Sequence, residues 1–208
     1  YLLLGLIFIL GNSCVDNPNE PENSGESDAL GVLNYDFSIS DAAKVDFDKG
    51  LLLLHSFEYD DAGTAFKHAK ESDSTEIMAY WGEAMSHYKA LWGLQDKRAG
   101  MKVMEELGMT KEDRITKIDD PLEKDFWEGV EILYGDGTLT ERNGAFADYM
   151  GKMSNKYPDN QEVRAFYALS LLWRKYRSKH SIFQVSPIPY LIYCHVLFQN
   201  PWQKNNYK

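Results

Sequence analysis

Glu83 and His87 lie four residues apart, so on a helix they share one face. His55 and His68 come one helical pair earlier in the chain. A metal site or an acid–base pair can be drawn from these four side chains, since carboxylate and imidazole are the usual ligands and proton carriers. The plainer reading of Glu83 and His87 is an ordinary i,i+4 surface pair, and it is preferred. No CxxC or HExxH occurs, and nothing has the pattern of a phosphate loop, a dinucleotide fingerprint or a nucleophile elbow. The chain is therefore expected to carry no catalytic residue, no metal and no cofactor, and a metal-dependent enzyme ranks third among its possible functions.

Aromatic residues offer a second kind of chemistry. Trp81, Tyr88, Trp92 and Trp127 stand out as candidates to line a ligand groove, because Trp and Tyr anchor interfaces. Their competing role is core packing, which is the stronger expectation for Tyr80, Phe126 and Phe166.

Composition limits the partners. The 208 residues carry a formal charge of -10, with 44% apolar and 26% charged side chains. That is the balance of a globular domain with a real core. So acidic a surface repels nucleic-acid phosphates and anionic headgroups, and nucleic acid is not an expected partner.

The two ends depart from this average. Residues 1–10 read YLLLGLIFIL, too short for a spanning helix of about 20 residues but suited to the apolar region of a secretory signal. The first basic residue is Lys44, so the sequence is expected to begin inside that signal. The run stops at Leu10-Gly11-Asn12-Ser13-Cys14, which resembles a bacterial lipoprotein signal. The resemblance implies that Cys14 carries lipid and anchors the chain to a membrane of the cell envelope. Residues 14–37 are rich in Asn, Pro, Glu, Ser and Gly and hold no Lys or Arg, the composition of a flexible acidic linker. At the other end, residues 177–208 contain no Asp or Glu. They are expected either to be out of frame or truncated, or to be an apolar segment docked on the last helix. No regular amphipathic helical pair is expected there.

Residues 38–176 carry helical periodicity almost throughout. The clearest case is Tyr59–Ser72, where Ala62, Ala65, Phe66 and Ala69 repeat at i, i+3, i+4 and i+7. Before it, Phe47, Leu51 and Leu54 share a face, with Ser40 or Asp41 as the cap. After it, a helix is expected from Ser74 or Thr75 to about Trp92. Further helices are expected at Asp96–Leu107, Pro121–Tyr134, Thr140–Lys156 and Gln161–Tyr176. Pro121 suits a first turn, and Pro158 suits a break.

The chain also resembles itself: DFDKGLLLLH from Asp46 lines up with DFWEGVEILY from Asp125. Such self-similarity marks repeated helical pairs, here of roughly 40 residues each. Gly50, Ala62, Phe66 and Ala69, with Tyr59 at the turn, are spaced as in the tetratricopeptide (TPR) repeat, and this stretch resembles a divergent bacterial subgroup of that family. The resemblance implies an all-α, TPR-like solenoid of antiparallel helix pairs in a right-handed superhelix. It gives Gly50, Ala62, Phe66, Ala69, Gly82, Ala84 and Gly129 the task of packing helices closely. It further implies an envelope-anchored scaffold that binds protein or peptide partners. The alternative is a glycan-binding lipoprotein of an uptake system.

Overall fold

The computed structural model describes residues 33–89 and 92–176. Among them are eight helices and no strand: α1 (Lys44–His55), α2 (Tyr59–Ser72), α3 (Ile77–Ser86), α4 (Lys97–Leu107), α5 (Lys111–Ile115), α6 (Pro121–Tyr134), α7 (Leu139–Lys156) and α8 (Gln161–Tyr176). The chain is all-α over these residues. None of these helices is long and apolar enough to cross a membrane. Cys14, the signal and the 177–208 tail lie outside the described residues.

Local signals explain most helix starts. Asp96 caps α4 by accepting from Ala99 N at 3.0 Å, and Asp120 caps α6 by accepting from Leu122 N and Glu123 N, with Pro121 at the first position. Thr138 and Glu141 form a capping box on α7. Thr110 and Asp113 form another on α5, a five-residue helix that the apolar periodicity does not announce. Two expected caps differ. The first turn of α1 follows Ala43, which has no side-chain cap. Helix α3 begins after Glu76, whose own carboxylate accepts from Met78 N, rather than after Ser74 or Thr75. Asp73 already holds Thr75 through both its backbone N–H and its hydroxyl. Helix α3 also stops at Ser86, short of the expected end near Trp92.

Each helix from α1 to α4 packs on the next, and so do α5, α6, α7 and α8 in turn. Contacts also join α1 to α3, α3 to α6 and α4 to α6. The seam among α1, α2 and α3 is built on one ring. Phe66, fully buried on α2, lies between Gly50 of α1 and Gly82 of α3. A Cβ on Gly50 would sit 2.9 Å from that ring, and one on Gly82 would sit closer still, so neither position has room for a larger residue. Ala62, Ala69 and Ala84 are fully buried beside it. The same arrangement recurs where Gly129 of α6 faces Phe146 of α7, with a Cβ distance of 3.0 Å. Every packing residue singled out from the sequence therefore lies at a helix–helix contact or in the core.

Inside, α1, α3, α6 and α8 each contribute one aromatic to a continuous cluster: Phe47, Trp81, Phe126 and Phe166. Trp81 meets Phe126 at 5.5 Å and Phe166 at 5.3 Å, both edge to face. Such pairs add to the burial of large apolar area. The cluster is completed by Phe37, which corrects the linker boundary. Residues 33–37, assigned by composition to the linker, pack against the helical core, and Phe37 is only 7% exposed.

Candidate binding groove

Residues 33–40 read Leu-Asn-Tyr-Asp-Phe-Ser-Ile-Ser, a strict alternation of apolar and polar side chains. An extended chain sends alternate side chains to opposite faces, and that is how the segment lies. Leu33, Tyr35, Phe37 and Ile39 turn to the core, while Asn34, Asp36 and Ser38 are exposed. Phe37 enters the aromatic cluster, 5.0 Å from Phe126, 6.1 Å from Trp81 and 6.2 Å from Phe47. Tyr35 stacks on Phe37 at 5.5 Å and donates its hydroxyl proton to Asp48 of α1, where Lys44 Nζ joins at 2.7 Å from the Tyr35 oxygen. Burial and the Asp48 contact push the Tyr35 phenol up to about 12.

The polar side of the strap is held by the N-terminal ends of three helices. Asn160, the residue before α8, donates from Nδ2 to Asp36 Oδ2 at 2.7 Å. Glu123 in the first turn of α6 accepts from Ser38 N at 2.9 Å. Glu76, which caps α3, accepts from Ser40 N at 3.0 Å. Positions 36, 38 and 40 thus bind α8, α6 and α3 in order, and the three helix ends lie in a row along the strap. The placement is favourable at these carboxylates because helix N-termini attract negative charge. It is also costly, since Glu76 and Glu123 are nearly removed from water. Burial raises both above the usual glutamate value; the strap N–H bonds pull each partly back.

The residues selected from sequence for a groove are placed differently. Trp81 is 1% exposed and forms the wall against Phe37. Trp127 is fully buried, with its indole N–H donating to Glu131 at 2.8 Å, and Glu131 is in turn gripped by Arg114. Tyr88 is buried against Trp173, its hydroxyl donating to Asn143. Trp92 alone of the four is exposed, at 66%. They do not form one exposed groove, because the apolar faces of these short helices turn inward where several helices meet.

The histidine and carboxylate candidates also separate. Glu83 pairs with Lys70 of α2 at 2.5 Å, and Lys70 reaches Glu106 of α4 at 2.7 Å. His87 follows the last residue of α3, His68 is exposed on α2, and His55 pairs with Glu162 of α8 at 2.8 Å. Among the described residues no group of three or more His, Cys, Asp or Glu side chains is placed to hold a metal ion.

No protein-family model, curated protein or solved structure matches this chain. The groove therefore has to be understood from its own residues. Phe37, Glu76, Glu123 and Asn160 are the ones the sequence analysis misses. Two signals for them exist: the period of two from Leu33 to Ser40, and polar residues at the starts of three helices.

Proposed function

We propose that this chain is an envelope-anchored, TPR-like α-solenoid scaffold that binds extended segments of protein partners. The observation that carries the reading is the strap. An extended segment lies along a row of helix ends, with its backbone N–H groups held by fixed acceptors and one aromatic side chain in a pocket. That is the chemistry of extended-peptide recognition: main-chain bonds supply affinity and side-chain pockets supply selectivity. The solenoid part rests on the order of helix contacts and on the wedge of Phe66 between Gly50 and Gly82, which is how TPR-like pairs are expected to close. The anchor rests on the apolar run before Cys14 and the acidic composition after it.

The glycan alternative needs exposed aromatic faces on which sugars stack. Of the four aromatics chosen for a groove, three are buried, so the peptide reading is preferred.

The test has two parts. The chain from Asp16 onward is immobilised and challenged with envelope extract; a partner retained specifically and released by its own extended peptide supports the scaffold. Recovery of nothing but nonspecific protein counts against it. In the full-length gene, Cys14→Ser is expected to release the protein from membranes, and equal membrane recovery of both forms would defeat the lipid anchor.

A further inference from the structure

A groove that already holds residues 33–40 admits a partner only when those residues leave. Three features make the strap separable. Its polar side lies at the surface, with Asn34, Asp36 and Ser38 exposed, and Phe37 is its one buried residue. It comes before α1 and is joined to it by a single short turn at residues 41–43, so its departure need not break a helix. Its hydrogen-bond partners Glu76 and Glu123 are carboxylates that regain water when it departs, which offsets part of the loss.

We propose that residues 33–40 are a built-in competitor, occupying in cis the site of an extended segment from a partner protein. That segment carries an aromatic side chain at the Phe37 place, backbone N–H groups one and three residues after it, and a side-chain acceptor one residue before it. The proposal rests on the scaffold reading and specifies its ligand and its regulation. The pattern follows from the fixed groups. The pocket formed by Phe47, Trp81 and Phe126 takes the ring. Glu123 and Glu76 require N–H donors at the Ser38 and Ser40 places, so proline is excluded from both. Asn160 Nδ2 requires the acceptor at the Asp36 place. Because the strap is tethered to its own site, its effective concentration is high, and an incoming segment meets a groove that is open for only a fraction of the time. If that fraction is about 1%, the apparent affinity is lowered about 100-fold.

The probe is a fluorescently labelled peptide with the sequence of residues 33–40, mixed with the full chain in detergent and read by fluorescence polarisation. Two variants loosen the strap: Phe37→Ala empties the pocket, and Ser38→Pro removes the N–H donated to Glu123. Both are checked for wild-type helical content by circular dichroism. The expected result is that wild type binds the peptide weakly and that at least one folded variant binds it about tenfold or more tightly. A peptide in which alanine replaces the phenylalanine, or proline the first serine, should not compete. If folded variants bind no better than wild type, the strap is a fixed wall of the domain and the proposal is overturned. If both variants lose their helical content, residues 33–40 are an indispensable part of the core and the proposal is equally overturned. The scaffold reading fails separately. Peptide binding by the variants with no envelope partner retained removes the scaffold and keeps the groove. A retained partner with no peptide binding places the partner elsewhere.

Discussion

His55 Nε2 lies 2.8 Å from Glu162 Oε2, and this buried contact ties the end of α1 to the first turn of α8 across 107 residues of chain. In a linear repeat array contacts fall chiefly between neighbouring units, so this bond between the first and last described helices lies outside that pattern and closes the bundle. Both side chains are under a tenth exposed. Removing one partner leaves the other in a site built for a charge or a strong hydrogen bond. His55→Ala is expected to destabilise the fold by about 3 kcal/mol, measured by urea unfolding. The double variant His55→Ala/Glu162→Ala should cost less than the sum of the single changes, because they share one interaction.

The Phe66 seam gives a paired prediction about glycine. Gly82→Ala drives a Cβ into the Phe66 ring, and such overpacking costs about 1–3 kcal/mol. Gly144→Ala is the control, since a Cβ there meets nothing within 4 Å and the residue sits inside α7. It should stabilise by about 0.5–1 kcal/mol through helix propensity. Opposite shifts of the two melting temperatures are expected; shifts of the same sign would contradict the packing.

Ala62 is fully buried in the same seam. Ala62→Glu puts a charge there without a partner and should destabilise by several kcal/mol, on the order of 3 or more. Circular dichroism at rising temperature reads this directly, and an unchanged melting curve would reject the assignment of α2 to the core.

The strap carboxylates give a pH dependence. Burial raises Glu76 and Glu123 above the ordinary value of 4.5. A raised folded-state value means that the folded chain holds the proton more tightly than the unfolded chain. The resulting stabilisation is full below about the unfolded value and is lost as pH rises through the folded one. Glu76→Gln and Glu123→Gln keep an oxygen to accept the strap N–H but do not titrate. Each variant should therefore gain stability relative to wild type as pH rises from 4.5 toward neutrality, then hold a constant difference. Thermal unfolding across that range checks the sign, and a difference that moves the other way would show that the N–H bonds outweigh burial.

The tryptophans separate in the same way. Trp81 is 1% exposed and Trp92 is 66% exposed. Trp81→Ala should cost about 3–5 kcal/mol, whereas Trp92→Ala should stay within about 0.5 kcal/mol of wild type. Equal effects in chemical denaturation would contradict the placement of one in the core and the other at the surface.

Helices α2, α6, α7 and α8 are legible in the sequence because each combines an apolar face of period 3.6 with a start signal or a break. Helix α2 is the clearest, since Ala62, Phe66 and Ala69 leave one narrow face that only a neighbouring helix can cover. Helix α3 is less legible. The wide apolar pattern from Ile77 through Tyr88 does not say which aromatics are interior, and Trp81 on α3 and Tyr88 just beyond its end turn out buried.

The sequence by itself determined that most of residues 38–176 carries helical periodicity and that Gly50 and Phe66 belong to a close helix contact, because periodicity and residue size act over one or two turns. It also contained the alternation from Leu33 to Ser40. Eight alternating residues do not create a partner surface for themselves, however, and amid acidic, Pro- and Asn-rich neighbours they match a linker equally well. Only the tertiary structure supplied that surface. It brought Glu76, Glu123 and Asn160, each locally an ordinary polar residue at a helix start, into one row, and set Phe47, Trp81 and Phe126 around one ring. The physical reason is distance along the chain. Ser38 and Glu123 are 85 residues apart, and their hydrogen bond exists only after the helices between them have packed.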